Sequence, residues 1–127
     1  LIVPGENYGW PIETCSEENP QYQEPLACYT DFTLAPSGMD FLPGERLDET
    51  PLYVAGLRGN RVMRVDTDDE GGFIREEAIF EEYGRIRTVV YHENALYMAT
   101  NNRDGRGDPG ENDDKIIKAT PILPSNE

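Results

Sequence analysis

Gly84-Arg85-Ile86-Arg87-Thr88-Val89-Val90 carries two guanidinium groups one residue apart in an otherwise β-prone run. Successive side chains of a strand point to opposite faces, so Arg85 and Arg87 are expected on one face. Arginine is always charged and offers a planar fork of N–H donors. An aligned pair entering a sheet therefore needs carboxylate partners or an anionic ligand. From these residues alone both outcomes stay open.

The elements that must position such a pair read as strands and turns, with no convincing helix. Pro4-Gly5-Glu6-Asn7-Tyr8-Gly9-Trp10-Pro11 is a compact turn in which Gly and Pro set the backbone and Tyr8 and Trp10 supply packing area. Residues 12 to 36 form a long connection, of a length usually functional or stapled in a compact domain. It contains Cys15 and Cys28. A bridge between them would brace the loop and imply an oxidising compartment, the alternative being two unpaired thiols.

From Ser37 the rhythm is regular. Ser37–Leu42 is a short strand closed by Pro43-Gly44. Leu52–Leu57 is a second, nearly continuous in apolar residues and so expected to be buried on both faces. Arg58-Gly59-Asn60 turns into a third strand, Arg61–Asp66, and Glu76–Phe80 is an outer strand after Glu70-Gly71-Gly72. The series then restarts with Ile86–Tyr91, Leu96–Thr100 and Ile116–Thr120, separated by His92-Glu93-Asn94 and the polar loop from Asn101 to Asp114.

Two successive antiparallel meanders of similar length are the signature of β-propeller blades. The expected fold is all-β, with residues 37–83 one blade, 84–127 a last blade lacking its outer strand, and 1–36 a turn and long loop. Two blades cannot close a ring, so remaining blades are expected from further chain or from a self-associated copy. Beginning at Leu1, inside an apparent strand Leu1-Ile2-Val3, the sequence reads as a processed or truncated piece of a longer protein.

Composition narrows the partners. Among 127 residues, 25 are acidic and 11 basic, giving a formal net charge of −14 that argues against nucleic acid or anionic membrane. Cations and neutral polyols fit better. Hydrophobic residues make up 37% and charged residues 28%, an ordinary globular balance. No apolar run approaches the ~20 residues of a membrane span, and no signal-peptide pattern is present.

Asn7-Tyr8-Gly9-Trp10-Pro11, Ala35-Pro36-Ser37-Gly38-Met39, Leu52–Leu57, Gly84-Arg85-Ile86-Arg87 and Leu96–Gly107 occur together in one order. In that order and spacing they resemble the C-terminal part of the soluble PQQ-dependent aldose sugar dehydrogenases, the glucose/sorbosone dehydrogenase family. The resemblance covers nearly the whole chain. It implies a six-bladed propeller binding pyrroloquinoline quinone (PQQ) with calcium, oxidation of an aldose at C1 to its lactone, and an extracytoplasmic location. It places Arg85 and Arg87, with Ile86 between them, on the arginine pair that faces the cofactor, and Gly56-Leu57-Arg58 on a second cofactor-contacting segment. Tyr8 falls on a position of a separate structural calcium site, where its backbone carbonyl is the expected ligand.

The family's catalytic histidine and the Gly-Pro carbonyls that hold the cofactor's calcium lie upstream of Asn7 and have no counterpart here. His92, the one histidine, sits in a hairpin turn and is not expected to be catalytic. This polypeptide alone is not expected to oxidise sugars. Asp66, Asp68, Glu70, Gly71 and Glu77 match an EF-hand calcium loop, but strand-like flanks favour a hairpin turn with solvated acids. Asp104, Asp108, Glu111, Asp113 and Asp114 form a second acidic cluster, read as a solvated loop with cation binding as the alternative. Arg106-Gly107-Asp108 is taken as coincidence, and Trp10 as packing within its turn. Two functions remain: a portion of a PQQ-dependent dehydrogenase acting on an aldose sugar, or a non-catalytic, secreted, calcium-stabilised propeller module for binding or assembly.

Overall fold

The computed structural model describes residues 2–13, 19–42 and 50–120. Strands β1 (Pro36–Phe41), β2 (Thr50–Gly56), β3 (Arg61–Thr67) and β4 (Phe73–Ile79) form one antiparallel sheet in the order β1-β2-β3-β4. Strands β5 (Ile86–His92), β6 (Ala95–Thr100) and β7 (Ile116–Ala119) form a second, in the order β5-β6-β7. The chain is all-β, two successive propeller blades that do not close a ring. One 3-10 turn, Glu81–Tyr83, links them.

The hairpins follow from local chemistry. Glu93 and Asn94 both have positive φ, 46° and 60°, the conformation of a two-residue turn whose twist matches its flanking strands. At the β3–β4 turn, Asp68 Oδ1 accepts the amides of Glu70 (3.1 Å) and Gly72 (2.6 Å), which makes a hairpin of the EF-hand-like spacing. Asp66 differs from its expected solvated state. It is 1% exposed and lies between Arg64 (2.7 Å) and Arg75 (2.5 Å).

β2 reads as continuously apolar because both of its faces are covered. Ala55 and Val62 point into the space between the blades, where they meet Ile86, Val89, Leu96 and Met98. Val54 and Met63 point the other way, onto Leu34, Tyr29 and Phe32 of the long connection. Arg61 ties that connection to the sheet by lying 4.8 Å over the Phe32 ring while pairing with Glu81 at 3.0 Å. Cys28, in the same connection, is disulfide-bonded; Cys15 and the Pro43-Gly44 turn lie outside the described residues. Ile2 and Val3, expected in a strand, are irregular.

The inner strands of the blades meet directly. Ser37 Oγ donates to the Arg87 carbonyl (2.7 Å) and the Tyr91 amide donates to Asp40 Oδ2 (2.8 Å). A side chain at position 38 would collide with Thr88, so glycine there sets how closely the blades approach. On its far face the second sheet leaves Val90 49% and Ile116 81% exposed.

Burial alone would raise the Asp66 pKa, but hydrogen bonds from Arg75 and Arg64 outweigh it and hold the carboxyl below the usual range. The folded pKa is depressed, so this stabilisation is complete above the ordinary carboxylate value of about 4 and is lost as pH falls through the lower folded value. Asp66→Asn is expected to lower stability by about 1–3 kcal/mol at pH 7. In urea melts that difference from wild type should shrink steadily as the pH falls below about 4.

Candidate functional site

The ends of β2 and β6 and the start of β5 converge at one end of the paired blades, and Arg85 sits where they meet. It is 7% exposed. Its Nε donates to the Asn101 carbonyl (3.2 Å), one terminal nitrogen to the Leu57 carbonyl (3.2 Å) and the other to Asp104 Oδ2 (2.7 Å). The Leu57 bond spans 28 residues and joins the first blade to the second. Three of the five N–H donors of the fork are thus used, and two remain.

Arg87 is placed differently. Ile86 pairs with Thr100 and Thr88 with Ala99, so β5 advances two residues where β6 advances one. This is a β-bulge, and the extra residue interrupts the alternation on which the same-face expectation rested. Arg87 is exposed, and its side chain makes no hydrogen bond or ion pair among the described residues. Arg58, in the turn after β2, is likewise exposed with no such partner among them.

The remaining predicted residues separate into support and distance. Gly56 is buried at the end of β2, and Leu57 contributes its carbonyl to Arg85 while its amide donates to Ala35 (3.1 Å). Ile86 is fully buried in the core between the blades. Tyr8 belongs to the N-terminal turn, where its hydroxyl accepts the Val3 amide at 2.9 Å, and it does not join the arginine cluster. His92 lies at the other end of β5, exposed beside Glu93. No group of three or more His, Cys, Asp or Glu side chains is arranged to hold a metal ion among the described residues.

The residue that sequence reasoning missed is Asn102. It is 4% exposed; its Oδ1 accepts the Arg85 amide (2.8 Å), and its Nδ2 donates to the Tyr83 carbonyl (3.0 Å) and Asp113 Oδ2 (3.1 Å). Gly84 makes room for it. At φ 73° and ψ −137° it holds a backbone shape that other residues rarely adopt, and a Cβ would lie 2.5 Å from Asn102 Oδ1.

The acidic loop is largely exposed, as expected of a solvated loop, but Asp104, Asp113 and Asp114 accept hydrogen bonds that shape it. Asp114 Oδ1 accepts the Asn102 amide (2.5 Å) and the Thr100 hydroxyl (3.3 Å), while Asp113 Oδ2 accepts the Gly110 amide (2.7 Å). That Gly110 amide, with Asn102 and neighbouring cations, holds the Asp113 carboxyl below the usual range. For Asp104, burial would raise the pKa, but the Arg106 amide and the Arg85 guanidinium outweigh it and hold the carboxyl low. These carboxylates organise the loop around Arg85. A repeating pattern of Asn, Asp and Gly marked the loop as a turn region, but nothing in it singled out Asn102.

Two successive antiparallel sheets define part of a β-propeller, with Arg58, Arg85 and Arg87 near the end where its strands converge. Residues 1–117 match the glucose/sorbosone dehydrogenase family, and the chain belongs to it. It is similar to the PQQ-bound form of the aldose sugar dehydrogenase of Streptomyces coelicolor, at 34% identity and a TM-score of 0.79 over 92% of this chain and 34% of that one. It is also 29% identical, over 84% of its length, to an uncharacterized protein of Synechocystis sp., 29% of which is covered. The chain therefore spans about a third of the length of the relatives it matches.

Gly84→Ala is expected to push Asn102 off the Arg85 amide and to cost about 1–3 kcal/mol. Hydrogen exchange should then speed up at the Arg85 amide more than at Val89 or Met98 in the core. Equal protection at all three would contradict this role for Gly84.

Proposed function

We infer that this chain supplies the arginine-bearing rim of the cofactor site in a PQQ-dependent sugar dehydrogenase, the substrate being an aldose. The observation that carries this reading is the pair Arg58 and Arg87, two exposed guanidiniums with no partner among the described residues in a chain where acids outnumber bases 25 to 11. With so many carboxylates available, cations left open at the one end where the strands converge fit an anionic ligand. PQQ carries carboxylates, so the donor set suits it. Arg58, Arg87 and the two free N–H groups of Arg85 would hold it, while Leu57 and Asn101 orient Arg85 from behind. When bound, PQQ supplies the electron acceptor for oxidation of the sugar at C1.

The same reading extends to the other groups. Calcium, with the Tyr8 carbonyl as a ligand, is proposed from the family resemblance. The disulfide at Cys28 supports an extracytoplasmic location. Exposed Val90 and Ile116 support completion of the ring by further blades or by a second copy. The catalytic base is assigned to those other parts, because His92 lies at the opposite end of β5.

Arg87→Ala in a complete protein containing this chain should weaken PQQ binding about tenfold or more by calorimetric titration. The unfolding temperature should hold, because the side chain is exposed. Unchanged affinity would overturn the assignment and favour the non-catalytic module.

A further inference from the structure

Resting on the cofactor-rim reading above, we propose that Asp104 is a positioning residue for anion recognition, fixing the Arg85 fork in the orientation that leaves its remaining donors open. The carboxylate is itself held from three directions. Oδ2 accepts Arg85 (2.7 Å) and Asn101 Nδ2 (2.9 Å), and Oδ1 accepts the Arg106 amide (2.9 Å). The loop also grips the aliphatic part of Arg85, since a Cβ at Gly107 would lie 2.6 Å from Arg85 Cδ. Residues 101–107 therefore close on one arginine from its charged end and along its stem. An arginine placed to meet an anion would otherwise lose rotamer freedom on binding, and a preset fork avoids that loss.

Charge alone makes the opposite prediction, so the two can be separated by sign. Asp104 cancels the charge of Arg85. If it acted only through that charge, removing it would strengthen attraction for an anion. If it acts by positioning, removing it weakens binding although the site becomes more positive.

The test uses a complete protein containing this chain, with PQQ affinity read by calorimetry and folding by thermal unfolding. Asp104→Asn is expected to weaken PQQ binding roughly tenfold. Asp104→Glu, which keeps the carboxylate on a partly exposed loop, should recover most of the loss. In an Arg85→Ala background, Asp104→Asn should have little further effect, because the residue works through Arg85. The sugar KM at saturating PQQ should not move, which a general loosening of the site would not reproduce. If Asp104→Asn leaves affinity unchanged or tightens it while Arg85→Ala weakens it, the positioning role is overturned and the cofactor-rim reading stands. If Arg87→Ala leaves affinity unchanged, the rim reading fails and this role fails with it.

Discussion

Arg85 is the constraint on which the described structure turns. One buried guanidinium bonds to the end of β2, to the end of β6 and to a loop carboxylate, so the register between two blades and the shape of one loop share a single side chain. Burying that charge costs free energy unless it is paired and hydrogen-bonded, and two carbonyls and Asp104 take up three of its five donors. Gly84, Asn102 and Gly107 follow from it. One bends the chain into the site, one caps the arginine's amide, and one leaves space for its stem.

The loop from Asn101 to Asp114 shows how an acidic chain spends its carboxylates. Asp104 meets Arg85, Asp113 meets Gly110 and Asn102, and Asp114 meets Thr100 and Asn102, so local negative charge is absorbed in building the turn. Away from the site, Asp66 does the same between Arg64 and Arg75. Against that background, the exposed Arg58, Arg87 and Arg106 have side chains without a hydrogen bond or ion pair among the described residues, and the first two stand beside the strand ends that meet at Arg85.

Much of the fold was legible in the sequence. Seven strands and their turns follow from apolar alternation and from Gly and Asn at positions that need positive φ, with ends shifted by a few residues. The unbroken apolar run of β2 correctly signalled a strand covered on both faces. What periodicity could not reveal was the bulge at Arg87, because one inserted residue leaves no mark in hydropathy yet changes which face a side chain takes. Nor could composition separate solvated from buried acids. Asp66 looks like surface charge until Arg75, nine residues away, buries it in an ion pair, and the more exposed Asp104 gains Arg85 from nineteen residues away.

The account's central claim is that the strand ends around Arg85 form one wall of a PQQ site. The most direct measurement is a crystal structure of a complete protein containing this chain, grown with PQQ. The account predicts cofactor carboxylates within hydrogen-bonding distance of Arg85 and Arg87, with the Arg85–Leu57 and Arg85–Asp104 bonds kept. PQQ bound away from these arginines, or Arg85 released from both partners, would contradict it.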